Sequence, residues 1–463
     1  MTSSFHIHSP IDNRLLFTRK YASQTEIDGI LDRAKESQQS WSETSLTERI
    51  QHVQRFVDTV ISDSARLSRE LTEQMGRPIR YSAGEIKGFA QRAQSMLQMA
   101  PQSLADIVPP KQEQFTRFIR RVPLGTVLVL SPWNYPYLTA VNAIVPALVA
   151  GNTVVLKHAE QTAMCAERLY ELAQKAKLPE GVFQIFHCTH AQVAQLAQDR
   201  RIDFIAFTGS VEGGQAVHAA TAGRFVGMGL ELGGKDPAYV RADANLSHAV
   251  ENLVDGAFFN SGQSCCGIER IYVHESLYSP FVSAFVEQVK GYILGNPLDE
   301  STTLGPMVRT RNANRVREQI EEAISMGAKA LIDASAFPNS QEDSPYLAPQ
   351  VLIDVNHDMA VMRDESFGPV VGIMSVKSDI EAIEKMNDSE FGLTASIWTH
   401  DEEATLYIGS KLETGTVFMN RCDYLDPELA WVGVKNSGRG CTLSTVGFEN
   451  LTRPKSFHLR SIK

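Results

Sequence analysis

Apolar residues near the start of the chain recur at helical spacing. Ile27, Ile30, Leu31 and Ala34 fall on one stripe, and the pattern predicts helices over 24–62 and 63–100. Pro101, Pro109 and Pro110 mark 101–114 as a connection. Residues 115–122 then alternate apolar and polar side chains, the pattern of a half-exposed strand. From residue 126 the rhythm changes. Short apolar runs at 126–130, 153–156, 182–186 and 204–207 alternate with helical stretches at 140–149, 161–176 and 191–199. Gly209-Ser210 opens a further helix. Strands separated by helices of this length imply parallel βαβ units. A doubly wound sheet of that kind takes its ligand at the C-terminal strand ends. Residues 225–230 lead into Glu231, and a helix over 246–259 delivers the chain to Gly262. Runs at 270–273, 351–355, 370–374, 395–398 and 416–420 predict a second α/β unit, and the tail 454–463 has the mixed character of an edge strand.

Composition narrows the function classes. A chain of 463 residues suggests two or three domains, and 43% hydrophobic with 21% charged residues is ordinary for a globular protein. A net charge of −10 argues against non-specific nucleic-acid binding, which needs a positive field. No apolar run is long enough to span a bilayer, and the first residues lack a basic then apolar leader. Six scattered cysteines do not make a disulfide framework, so a reducing cytoplasm is expected. The absence of CxxC and HExxH leaves a metal site without support.

Two segments carry candidate covalent chemistry. Glu231-Leu232-Gly233-Gly234-Lys235-Asp236-Pro237 offers a carboxylate beside a flexible diglycine, and Gly262-Gln263-Ser264-Cys265-Cys266 offers a thiol in a turn. A thiol and a base that meet in space form a covalent catalyst. An isolated cysteine is more often a buried structural residue, and a lone Glu at a strand end more often a solvated one. Asn134, in Ser131-Pro132-Trp133-Asn134-Tyr135-Pro136, follows the first strand of the series. It is either an oxyanion donor or a turn residue between prolines. Phe207-Thr208-Gly209-Ser210 ends a strand and starts a helix, a place for phosphate or simply a Ser N-cap. Lys157 and Glu160 follow the second strand, and Glu365-Ser366-Phe367-Gly368-Pro369 forms a turn before the run at 370–374. There is no GxGxxG fingerprint.

Taken in order, SPWNYP, KHAE, FTGS, ELGGKDP, GQSCC, ESFGP and a late Gly-Val-Lys-x-Ser-Gly resemble the aldehyde dehydrogenase superfamily over nearly the whole chain. The resemblance implies an α/β fold: a Rossmann-like parallel-sheet cofactor domain, an α/β catalytic domain and a small β oligomerisation element. The implied ranges are 1–110 and 126–231 for NAD binding, 232–440 for catalysis, and 111–125 with 441–463 for oligomerisation. It also implies roles. Cys265 is the nucleophile, Cys266 a bystander, Glu231 the general base, and Asn134 the oxyanion donor together with the Cys265 backbone N–H. Glu365 would hold the nicotinamide ribose with Phe367 beside it, Lys157 and Glu160 the adenosine ribose, and Trp133 and Ser210 the pyrophosphate.

The implied reaction is oxidation of an aldehyde to its acid through a cysteine thiohemiacetal and thioester, ended by water. Glu160 would accept hydrogen bonds from a free ribose diol and repel a 2′-phosphate, so NAD is expected over NADP. The implied substrate tunnel involves Tyr135, Thr139, Asn142, Phe259, Asp423, Leu425 and Trp431. Asp423, with Asp426 and Glu428, gives it an acidic side suited to an aminoaldehyde, and a semialdehyde is the other candidate. The Arg–Ser pair expected of a succinic semialdehyde site is not evident. His158 and Gly440-Cys441-Thr442 depart from the family pattern, and Ala143 and Thr442 stand where some relatives have a Lys and an acid, so another exit for the proton of Glu231 is expected. A CoA-acylating relative would lack Glu231, and a catalytically silent one would lack Cys265. A homodimer or homotetramer is expected, with no nucleic-acid or membrane partner.

Overall fold

The computed structural model describes residues 4–462, and its main architecture is two mostly parallel sheets, each with one short antiparallel edge strand, joined at one seam. The first has six strands in the order Gly438–Arg439, Gly227–Glu231, Phe204–Thr208, Thr126–Ser131, Thr153–His158 and Phe183–Ile185. All neighbours are parallel except the short Gly438–Arg439 strand. Every residue of Thr126–Ser131 and Thr153–His158 is buried, as continuous apolar runs flanked by helices require. The second sheet has seven strands, ordered Lys329–Ala330, Gln350–Ile353, Val370–Val376, Ile268–His274, Asp236–Val240, Thr394–Trp398 and Thr416–Met419.

Asp236–Val240 falls outside the runs read from the sequence, because it lies inside the Gly-rich motif and has only five residues. It matters for the site. The chain leaves the first sheet at Glu231, crosses four residues, and enters the middle of the second at Asp236. Glu231 therefore stands at the seam between the sheets. The short strand at Gly438–Arg439 reinforces that edge by pairing Gly438 with Glu231. Gly438 adopts φ +123°, and a Cβ there would strike the Leu230 carbonyl, so glycine is needed for this approach.

The helical N-terminal region is more broken than its apolar stripe suggests. The span 24–62 forms Gln24–Glu43 and Leu46–Ser62, and 63–100 forms Ser64–Met75 and Ile79–Ser103. The first break has a local cause. The Ser45 side chain accepts the Glu48 N–H while the Glu48 carboxylate accepts the Ser45 N–H, a capping box that starts a new helix. The second break is Gly76 at φ +85°, followed by Pro78 before the next helix. Pro101 lies inside the last turn of Ile79–Ser103 and does not end it.

Two features tie the outer elements to the first sheet. The Trp41 indole N–H donates to the Leu148 carbonyl at 2.9 Å in the buried core. Asn152, fully buried, accepts the N–H groups of Leu124 and Gly125 and donates to the carbonyls of Ala147 and Leu451. One side chain thus satisfies a sheet entry, a helix end and the C-terminal segment. Beyond it, Thr452–Arg460 pairs antiparallel with Phe115–Pro123 in a two-stranded ribbon. Ser4–His8 pairs with Leu15–Lys20 in a second ribbon, which periodicity did not reveal. Among the described residues, no helix is long and apolar enough to cross a membrane.

Candidate active site

The thiol loop begins where the helix Leu246–Phe258 ends. Asn260, Ser261 and Gly262 adopt φ of +54°, +56° and +70°, and the first two are not glycine. Such conformations cost on the order of 1–3 kcal/mol each and persist only where the surroundings enforce them. The enforcing contacts are hydrogen bonds. Arg77 Nε donates to Asn260 Oδ1 at 3.1 Å, and Ser261 donates to the Gly305 carbonyl at 2.8 Å. Gln263 is clamped at both ends of its amide, donating to the Asn260 carbonyl and accepting the Val308 N–H. Cys265 emerges from this turn half-buried, and Cys266 is buried.

The two adjacent thiols are not equivalent. The Cys266 thiol donates to Asp423 Oδ1 at 3.0 Å. Hydrogen bonding with Cys265, then burial, hold Cys266 well above the ordinary thiol range. It is kept protonated, which disfavours it as a nucleophile. Ser264 donates to the same Asp423 oxygen at 2.8 Å. Asp423, at φ +45°, therefore turns its carboxylate toward the thiol loop.

Asn134 is placed by a buried ion pair. Arg77 contacts Glu85, donates to the Asn134 carbonyl at 2.6 Å, and lies 4.3 Å over the Tyr135 ring. Glu85 also accepts the N–H groups of Tyr137 and Leu138, the first turn of the helix Pro136–Val149. An acid there satisfies free helix N–H groups and favours the positive end of the helix. The Asn134 amide donates to the Gln263 carbonyl at 3.2 Å, and its other N–H has no acceptor among the described residues. His158, fully buried, secures the same helix start. Its Nε2 lies 3.0 Å from the Pro136 carbonyl, so Nε2 carries the proton and Nδ1 accepts from Thr162. Burial lowers its pKa to about 4, consistent with a neutral ring.

Glu231 ends its strand with both carboxylate oxygens engaged. Oε1 accepts the Thr442 hydroxyl at 2.5 Å and Oε2 the Thr208 hydroxyl at 3.2 Å. Burial raises its pKa, and the two hydroxyls and the Arg92 charge pull it back. Glu231 and Cys265 border one cavity of about 350 Å³. Tyr135, Thr139, Asn142, Phe259, Asp423, Leu425 and Trp431 border it too. Arg77, Glu85 and Arg92, none of them a sequence candidate, also border it, as does Thr208 of the Phe207-Thr208-Gly209-Ser210 motif. A signal existed for two of them. Glu85 and Arg92 sit on the inward stripe of Ile79–Ser103 with Ile86, Phe89, Ala93 and Met96, and charges on such a stripe need a reason.

Among the candidate cofactor residues, Trp133, Lys157, Glu160 and Ser210 lie at or just after the ends of strands of the first sheet, while Glu365 and Phe367 precede a strand of the second. Lys235 and Glu269 form a fully buried ion pair. Glu269 also accepts the N–H groups of Ser366 and Phe367 at 2.8 and 2.9 Å. This fixes the Glu365 turn against the diglycine, with Glu365 Oε1 accepting the Gly234 N–H at 3.0 Å. A side chain at Gly233 would fill the space of the Glu365 carboxylate. Burial, then the charge of Glu269, raise Glu365 to about 8. Trp133 meets Phe367 edge to face at 5.6 Å. Lys157 is buried, and its ammonium has no hydrogen-bond or ion-pair partner among the described residues. An ammonium that no protein group holds is free to donate to a polar ligand group. Glu160 accepts the Tyr21 hydroxyl at 2.5 Å. Ser210 is exposed and caps the helix Val211–Ala220 through the Gly213 N–H.

A doubly wound sheet joined to a second α/β unit, with a thiol and a carboxylate bordering one cavity, is the arrangement of an enzyme suited to covalent chemistry. The model for the aldehyde dehydrogenase family matches residues 1–457, and the chain belongs to that family, whose members are oxidoreductases acting on aldehydes. It is 33% identical over 439 residues to a succinate semialdehyde dehydrogenase [NAD(P)+] of Escherichia coli (strain K12), covering 95% of this chain and 94% of that one. It is 33% identical over 414 residues to a 3-sulfolactaldehyde dehydrogenase of Priestia aryabhattai, covering 88% and 85%. The crystal structure of an aldehyde dehydrogenase from Brucella melitensis biovar abortus 2308 matches at TM-score 0.95 and 27% identity, over 100% of this chain and 95% of that one.

The carboxylate geometry makes a pH prediction. Glu231 works as a base only when ionised, and the Thr442 hydroxyl stabilises that form. Thr442→Val should move the acid limb of the kcat profile to higher pH and leave the alkaline limb in place. An unchanged limb, or one displaced to lower pH, would refute a working role for this hydrogen bond.

Proposed function

We propose that Cys265 and Glu231 act in succession on an aldehyde held in their shared cavity. The carrying observation is that both border the same space of about 350 Å³ while Cys266 is tied to Asp423. The Cys265 thiolate attacks the carbonyl carbon, forming a C–S bond and an alkoxide. The free N–H of Asn134 and the backbone N–H of Cys265 are the groups suited to hold that alkoxide. A bound nicotinamide cofactor supplies the acceptor for the hydride lost from that carbon. The resulting thioester remains on Cys265. Glu231 takes a proton from water, the oxygen bonds to the acyl carbon, and the C–S bond breaks to release the acid and the thiolate.

Lys157, Glu160, Glu365, Phe367 and Trp133 are the residues proposed to hold the cofactor. Support comes from the partnerless Lys157 ammonium and from the Glu365 turn locked by Glu269. Glu160 has one oxygen engaged by Tyr21 and the other open to a ribose diol, which favours NAD over NADP. The division into NAD-binding, catalytic and oligomerisation segments read from the sequence is kept as part of this proposal. The ribbon of Phe115–Pro123 and Thr452–Arg460 carries a stacked Phe118–Phe457 pair at 4.6 Å and offers sheet edges to a second copy. The unpaired state of all six cysteines suits a reducing compartment such as the cytoplasm.

Three measurements test this reading. Cys265→Ala should abolish NADH formation, whereas Glu231→Gln should keep a single burst of about one NADH per site and slow turnover on the order of 100-fold or more. Near-normal turnover by Cys265→Ala would remove the assignment. On cofactor choice, kcat/KM should be greater with NAD. An equal or greater value with NADP would put Lys157, and not Glu160, in control of the site. Light scattering should give the mass of a dimer or tetramer, and a monomer would reject the ribbon as an interface.

A further inference from the structure

Arg92 is the one guanidinium in the catalytic cavity that the protein leaves partly unmatched. It is 7% exposed on the helix Ile79–Ser103, and burial disfavours its charged form. Its Nη1 donates to the Leu138 carbonyl at 2.7 Å and to Asn142 Oδ1 at 3.2 Å. Among the described residues its Nε and Nη2 have no acceptor, and no carboxylate lies within 4.0 Å. Arg77, in the same cavity, shows the contrast. It is paired with Glu85 and hydrogen-bonded to Asn260 and Asn134.

Asn142 adds a second donor beside Arg92. It is 2% exposed, its Oδ1 is held by Arg92, and its buried Nδ2 has no partner. Native proteins rarely leave an enclosed donor such as Asn142 Nδ2 unmatched unless a ligand completes it, and the free Arg92 nitrogens are open to the same ligand. Arg92, Asn142, Cys265 and Glu231 all border the same cavity.

We propose that Arg92 and Asn142 form an oxyanion-binding subsite, and that the aldehydes preferred by this enzyme carry an anionic group at the end remote from the carbonyl. The inference rests on Cys265 as the attacking thiol, and it adds which substrates reach that thiol. A carboxylate or sulfonate supplies two or more acceptor oxygens for the free Arg92 and Asn142 donors, and charged acceptors of that kind are the strong partners of a guanidinium. The acids around the cavity do not occupy that role. Glu85 is committed to Arg77 and a helix start, Glu231 to Thr442 and Thr208, and Asp423 to Ser264 and Cys266. Burial raises both Glu231 and Asp423, and burial then Asp423 raise Asp255 to about 6. A cationic aldehyde would have to bring its charge beside that of Arg92.

The test compares succinic semialdehyde with its neutral methyl ester, using full-length enzyme and NAD. Wild type should favour the semialdehyde in kcat/KM. Measured above the acid limb, where Glu231 is ionised in both forms, Arg92→Met should lower that value about 100-fold, mainly through KM, and lower the value for the ester far less. Arg92→Lys should recover part of the loss, and Asn142→Leu should produce a smaller loss of the same kind. Equal losses on both substrates, together with a displaced acid limb, would show that Arg92 serves only to tune Glu231 and would overturn the proposal. So would a wild type that prefers the ester. If neither aldehyde is oxidised, the Cys265 reading fails by itself. The subsite is then still read by succinate binding in calorimetry, which should be seen in wild type, be lost in Arg92→Met, and exceed that of succinamide. No difference between succinate and succinamide would reject it.

Discussion

The buried Arg77–Glu85 pair is the constraint on which the site geometry depends. Arg77 reaches the carbonyl of Asn134 on one segment and the side chain of Asn260 on another, while Glu85 accepts the first N–H groups of the helix after Asn134. Asn134 and Asn260 also meet directly, since the Asn260 amide donates to the carbonyls of both Asn134 and Gln263. One guanidinium and one carboxylate thus join the first strand-to-helix turn to the left-handed turn before Cys265. Two buried charges are costly unless each finds further partners, and here every partner is a backbone or amide group that the site needs in a set place. The desolvation cost and the backbone strain at Asn260 and Ser261 are offset by the same contacts.

A second buried pair repeats this logic on the cofactor side. Lys235 lies between the diglycine and the strand Asp236–Val240, and its partner Glu269 accepts the backbone of Ser366 and Phe367. The Glu365 turn cannot move without breaking a buried charge pair. Phe367, at φ +53°, is held in a conformation a bulky residue seldom adopts. Between the two pairs stand Cys265 and Glu231, whose loops are therefore anchored from opposite sides. Such anchoring keeps reacting groups in register at a seam between two sheets, where a gap is easier to leave than in a single core.

Much of this was legible before any coordinates. The apolar runs at 126–130 and 153–156 match fully buried strands because parallel strands covered on both faces need continuous apolar residues, and the run at 204–207 matches a strand buried at its first two residues. Seven ordered motifs carried the family resemblance, and the family model agrees over residues 1–457. Other elements were hidden for physical reasons. The capping box at Ser45 interrupts a helical stripe without changing its period. Asp236–Val240 is too short and too close to glycines to show as a strand. Arg92 and Glu85 read from the sequence as solvated charges because a charge on a helix is normally placed in solvent.

The linear order of residues determined the two α/β units, the thiol and carboxylate at their junction, and the absence of a standard dinucleotide fingerprint, since periodicity and local motifs depend on near neighbours alone. The tertiary structure decided which groups are free to act. It tied Cys266 and Ser264 to Asp423, gave Glu231 two hydroxyl donors, and left Lys157, Arg92 and Asn142 with unused donors. Whether a buried polar group is satisfied depends on segments far apart in the chain, and no local pattern records that account.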